Sequence, residues 1–128
     1  MENVAAERAL KALSDPTRLR IIQFLSARYS GLAEGLSRAD TEGPTAGEVS
    51  YHITGEEKIS STVSHHLRIL KEAGLIVIVR KGKRMRCNLT PGALDALADH
   101  LHLLASFGEA GQEPGFTTTW NAPSVLED

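Results

Sequence analysis

Eight basic side chains stand between Lys58 and Arg86: Lys58, Arg68, Lys71, Arg80, Lys81, Lys83, Arg84 and Arg86, with Glu72 the only acid among them. The whole chain carries a formal net charge of −2, from 14 Lys and Arg against 16 Asp and Glu, so the acids are concentrated outside this stretch. A basic centre in an acidic frame makes a local surface for anions, and nucleic acid is the commonest polyanion to meet one. Two groups of residues carry the chemistry. Ser61, Thr62, Ser64, His65, Arg68 and Lys71 offer hydroxyl, imidazole, guanidinium and ammonium groups. Such groups bond to base edges and phosphates, and an Arg such as Arg68 can pair with guanine through two hydrogen bonds. Arg80, Lys81, Lys83 and Arg84 crowd around Gly82, where a turn would lay cations along a phosphate backbone or into a minor groove.

Placing those residues takes a sequence of short elements. Val63, Leu67, Leu70, Ala73 and His66 fall on one side of a helical wheel at about 100° per residue. Ser61, Ser64, His65, Arg68 and Lys71 fall on the other. Ser60 or Ser61 is suited to cap this helix, which is expected to run to Ala73, with Gly74 just beyond its end. Leu75 to Arg80 is apolar and β-branched and predicts a strand, Lys81-Gly82-Lys83 a turn, and Arg84 to Leu89 the returning strand. Ahead of them, residues 4–13 predict a short helix. Asp15-Pro16 is a cap followed by a first-turn proline, and opens a helix from Thr17 to about Arg28 on Leu19, Ile22 and Leu25, with Ile21 and Phe24 beside them. Tyr29 to Thr45 reads as a long connection, with a helical turn at Leu32–Leu36. Ala46 to Ile53 predicts a short helix. A last helix opens at Thr90-Pro91 and carries Leu94, Leu97, Ala98, Leu101 and Leu104 as its apolar stripe, to Ser106.

These elements predict a mainly α fold with a small β-hairpin, in the order α-α-α-α-β-β-α: a winged helix-turn-helix. A chain of 128 residues has room for one core. The expected division is a DNA-binding and dimerisation domain over residues 1–106 and a flexible tail over 107–128, where Phe116 and Trp120 would prefer cover. The polar-faced helix is the one expected in the major groove, and the basic hairpin is the wing. A solvated helix face and a blunted sheet edge are the plainer alternatives for each taken singly. Their adjacency favours double-stranded DNA as partner. A winged-helix module that binds protein is the alternative from another class.

The run from Leu10 to Leu25, LKALSDPTRLRIIQFL, the run from Ser61 to Leu75, STVSHHLRILKEAGL, and the basic hairpin after them together resemble the ArsR family (ArsR/SmtB-type) of bacterial and archaeal winged-helix repressors, over about residues 5–106. The resemblance implies a homodimer paired through its first and last helices, with Leu10, Leu94, Leu97, Leu101 and Leu104 as candidate dimerisation residues. It also implies a palindromic operator released when an effector arrives. The chain departs from the family where its metal-sensing members bind metal. Thr45 to His52 has no cysteine, and Thr90-Pro91-Gly92 stands where other members place a carboxylate and a histidine. The connection from Tyr29 to Thr45 is also longer than is usual in the family.

Cofactor and effector are thus left open. Asp95, Asp99 and His102 share one face of the last helix, and two dimer-related copies could converge on a Zn²⁺-like ion. The alternative is a solvated face beside the leucine stripe. His100 lies off that face, His52 stands alone, and His66 is expected to serve the core or a cap. The single cysteine, Cys87, lies among Lys83, Arg84 and Arg86, which would favour a thiolate and a redox switch; the alternative is a strand cysteine packed inward. One cysteine excludes a disulfide framework and a zinc site built on Cys pairs. No apolar run approaches membrane-spanning length, and Met1-Glu2-Asn3 does not begin a signal peptide, so the expected location is the cytoplasm. No phosphate loop, catalytic triad spacing or H-E-x-x-H pattern suggests an enzyme.

Overall fold

The computed structural model describes residues 1–30 and 43–109. Its elements run α1 (Asn3–Leu13), α2 (Pro16–Ser30), α3 (Ala46–Thr54), α4 (Ser61–Glu72), β1 (Ile76–Lys81), β2 (Arg84–Leu89) and α5 (Ala93–Glu109). That is the predicted order. The expected turn at Leu32–Leu36 and the aromatic residues Phe116 and Trp120 lie outside the described residues.

Local chemistry accounts for the boundaries. Asp15 Oδ1 accepts from the backbone N–H groups of Thr17 at 2.8 Å and Arg18 at 3.1 Å, so Asp15 closes the open end of the helix that Pro16 begins. Thr45 Oγ1 accepts from Glu48 N at 3.0 Å and caps α3. Ser60 Oγ accepts from Val63 N at 3.0 Å and caps α4. Gly74 follows the end of α4 at φ +79°, as expected.

The last helix departs from expectation at both ends. Thr90 does not open it, because Thr90 N still donates to Leu75 O at 3.0 Å, back at the start of the hairpin. Its hydroxyl caps nothing: Thr90 Oγ1 is buried without a partner among the described residues. Helix geometry starts only at Ala93, and it continues three residues beyond Ser106 to Glu109.

The core gathers one face of every element. Ala6, Ala9 and Ala12 of α1 are buried, and their small side chains let neighbouring helices approach closely. Ile21, Ile22 and Leu25 come from α2, Ala46 and Val49 from α3, and Val63, Leu67 and Leu70 from α4. Leu75, Ile76, Cys87 and Leu97 complete it. Burying one such Leu or Ile is worth about 1.5–3 kcal/mol. Leu19, expected on the buried stripe of α2, is exposed, because the stripe turns through Ile21 and Leu25 instead.

β1 and β2 pair antiparallel from Ile76↔Leu89 to Lys81↔Arg84. On the free side of β2, Thr45 bridges to Arg86, and Cys87 N donates to Pro44 O at 2.8 Å. The chain ahead of α3 thereby acts as a short third strand. Gly43 permits that approach, since a Cβ there would collide with Cys87 O and the Asn88 side chain.

Candidate nucleic-acid interface

The outer face of α4 is the first part of the site. Ser61, Thr62, Ser64, His65, Arg68 and Lys71 are all exposed, as the wheel predicts, while Val63, Leu67 and Leu70 are buried. Arg68 Nη2 lies 3.0 Å from His65 Nδ1. Arginine only donates, so His65 accepts at Nδ1 and carries its proton on Nε2. One turn of helix thus presents a guanidinium and an imidazole N–H together.

Two contacts that sequence spacing does not reveal hold α4 in place. Ser50 is fully buried on α3; its hydroxyl donates to Lys58 O at 3.2 Å and accepts from Ser60 N at 3.1 Å. This single side chain fixes the turn between α3 and α4, and with it the angle of α4. On the inner side, Arg18 Nη1 lies 3.1 Å from His66 Nδ1, and Arg18 Nε donates to Ala12 O at 2.7 Å. Arg18 therefore ties α4 to the carboxyl end of α1, and His66, expected in the core or at a cap, is half-buried and serves as the partner of Arg18 instead. The Asp15 carboxyl beside them is held below its ordinary value. The Arg18 backbone N–H contributes most; burial opposes it, and the Thr17 N–H and the nearby His66 and Arg18 charges add to it.

The wing is the second part. Lys81 pairs with Arg84, so the loop is Gly82-Lys83, with Gly82 at φ +63°. A positive φ at the first loop position suits glycine and matches the right-handed twist of a tight hairpin. Directly paired residues project to the same face and successive residues to opposite faces. Lys81 and Arg84 therefore share one face of the hairpin, and Arg80 shares the other with Met85. The sequence lines up these cations as one run; the pleat divides them between two sides. Lys83 and Arg84 also border a pocket of about 270 Å³ with Thr45, Gly47 and Ile59, at the amino end of α3. Thr45 and Gly47 lie outside the basic stretch and carry no charge of their own. Their signal is the cap pattern Thr45-Ala-Gly-Glu48, which marks a helix start whose N–H groups favour anions.

The remaining candidates do not assemble. Asp95, Asp99 and His102 are exposed on α5, and no group of three or more His, Cys, Asp or Glu comes together among the described residues. His52 stacks on Phe24. Cys87 follows the inward-packed reading, not the thiolate one. It is fully buried opposite Ile78, and burial pushes its thiol up to about 11. Its basic sequence neighbours Arg84 and Arg86 project to the opposite face of the strand or outward from it, so desolvation decides the outcome.

The candidate dimerisation residues divide. Leu97 is 5% exposed and serves the core of the single chain; Leu94 is half-buried against it. Leu101 and Leu104 are 44% and 54% exposed, and Leu10 of α1 is exposed as well.

A family profile described as a helix-turn-helix domain matches residues 13–79, more than half of the chain. The chain belongs to this helix-turn-helix family. No curated protein matches the sequence. Among solved structures, the helix-turn-helix protein is similar to an ArsR family transcriptional regulator, with a TM-score of 0.64 and 18% identity over 88% of this chain and 98% of that one. An ArsR-like transcriptional regulator from Rhodococcus sp. RHA1 gives a TM-score of 0.61 and 20% identity, over 84% and 85% of the two chains. The homodimeric winged helix-turn-helix DNA-binding domain of a possible ArsR-family transcriptional regulator from Mycobacterium bovis gives 0.51 and 20%, over 91% and 89%. These likenesses establish the winged helix-turn-helix fold. Among the described residues, no helix of the helix-turn-helix protein is long and apolar enough to cross a membrane.

Proposed function

We propose that this protein is an ArsR-type DNA-binding transcriptional regulator: a homodimer that represses by holding a palindromic operator and lets go when an effector binds. The observation that carries the reading is the outer face of α4. It presents Ser61, Ser64, His65, Arg68 and Lys71 to solvent while Ser50, Arg18 and His66 brace it from behind. Arg68 and His65 read base edges in the major groove, and Lys83 and Arg84 at the wing tip hold phosphates. Dimerisation is supported by the exposed apolar side chains of α5, Leu101, Leu103, Leu104 and Phe107 at 71%, together with Leu10 and Val4 of α1. Large apolar side chains left this exposed mark an interface.

Fluorescence anisotropy on DNA selected from a random pool, compared with random-sequence duplex and repeated across salt, tests the reading. Arg68→Ala should cost about 1–3 kcal/mol on the selected site and little on random DNA. Lys83→Gln with Arg84→Gln should weaken both, and should flatten log K against log salt by up to about 0.9 for each phosphate that the wing no longer neutralises. Equal weakening on both DNAs for Arg68→Ala, or a salt slope indifferent to the wing, would contradict the assignment and favour a protein partner.

A further inference from the structure

Beside α3, sharing Thr45, Gly47 and Arg84 with the wing-tip pocket, lies an open cleft of about 780 Å³. That is within the range of roughly 300–1,000 Å³ typical of small-molecule sites. Its lining is partly aromatic. The Phe24 and His52 rings stack with centroids 4.2 Å apart and planes within 17°, and Tyr51 stands next to them at 56% exposure. Its walls carry opposite charges. Glu48 is matched by Arg28 at 3.8 Å. The Glu57 and Arg84 side chains have no ion-pair or hydrogen-bond partner among the described residues.

Phe24 and His52 each cover one face of the other, so a flat ligand stacks on the outer face of the pair and against Tyr51. The free guanidinium selects an anionic group, and a carboxylate matches its paired donors. Glu57 repels a second anion and accepts from a donor. We propose that this cleft binds a planar aromatic carboxylate of about two fused rings bearing a hydroxyl or amino donor. Binding takes Arg84 from DNA phosphate. That coupling rests on the DNA reading above; the ligand site does not. DNA and ligand then compete for one side chain, so each weakens the other by the same factor.

The naphthalene series tests both parts. Calorimetry on the full chain without DNA compares 6-hydroxy-2-naphthoate, 2-naphthoate and 2-naphthol. The hydroxy-acid should bind about tenfold more tightly than either single-function compound. Tyr51→Ala should weaken it about tenfold, and Arg84→Gln should erase its advantage over 2-naphthol. Both substitutions fall on exposed side chains, and an unchanged melting temperature verifies folding. No saturable binding of the hydroxy-acid, or equal affinity for all three compounds, or equal affinity in wild type and Tyr51→Ala, overturns the site. At saturation, the hydroxy-acid should weaken binding to the selected DNA at least fivefold in wild type. Unchanged DNA affinity overturns the coupling. A protein that keeps the ligand preference but binds no DNA refutes the regulator reading and leaves the ligand site standing.

Discussion

Removing the Arg18 guanidinium should loosen the attachment of α4 without touching its outer face. Arg18→Met keeps most of the aliphatic stem and deletes the bonds to Ala12 O at 2.7 Å and His66 Nδ1 at 3.1 Å. A hydrogen bond from a charged donor is worth about 1.5–3 kcal/mol. Arg18 is half-buried and Ala12 O sits at a helix end, where water replaces part of the bonding, so the loss falls below the summed range of about 3–6 kcal/mol, at about 2–3 kcal/mol. For a chain of this size that is roughly 8–12 °C in melting temperature. Urea unfolding at one fixed protein concentration measures it, since dimerisation makes stability depend on concentration. His66→Ala alone and Arg18→Met with His66→Ala complete a double-mutant cycle, and the pair should couple by about 1 kcal/mol. An Arg18→Met protein within about 0.5 kcal/mol of wild type, or strictly additive effects, would refute the view that Arg18 fastens α4 to α1.

The two ends of the α5 leucine stripe should respond differently to a charge. Leu101→Asp with Leu104→Asp should yield folded monomers by sedimentation, because both side chains are exposed in the single chain, whereas Leu97→Asp should unfold it by burying an unpaired carboxylate. Intact dimers in the first variant would refute the interface. Asp15 is held below its ordinary carboxyl value chiefly by the Arg18 N–H, so its contribution is fully present above the unfolded-state value near 3.8 and is lost as the pH falls further, through its folded-state value. Asp15→Asn should flatten the urea midpoint against pH below about 4, and identical profiles for the two proteins would sink the assignment.

Where neighbours in sequence set the outcome, the fold is legible. Asp15-Pro16 caps and starts α2, Ser60 caps α4, and Gly82 makes the hairpin turn. The exposed face of α4 follows from helical periodicity alone. The illegible features depend on contacts between distant residues. Arg18 and His66 are 48 positions apart, and neither looks exceptional in its own helix. Ser50 reads as an ordinary polar residue of a short helix until the returning chain brings Lys58 O and Ser60 N to its hydroxyl. The leucine stripe of α5 has one periodicity throughout, yet Leu97 packs inside while Leu101 and Leu104 remain outside, because the other elements extend only partway along the helix. Thr90 has the side chain of a cap and is held elsewhere by Leu75. The cations near Cys87 suggest a thiolate; strand alternation turns the sulfur away from them into the core.

The sole thiol of the chain is therefore sealed behind the hairpin, and its backbone N–H is bonded to Pro44. Thiol reagents attack the thiolate, and a group pushed up to about 11 supplies little of it at neutral pH even where a reagent could reach it. The folded protein should be inert to maleimides and mild oxidants, and each opening that parts the sheet from α2 should expose one reactive sulfur. Cys87 is in effect a built-in clock for that opening: its labelling rate reads how often the junction between the wing and the helical body comes apart, with no engineered cysteine needed.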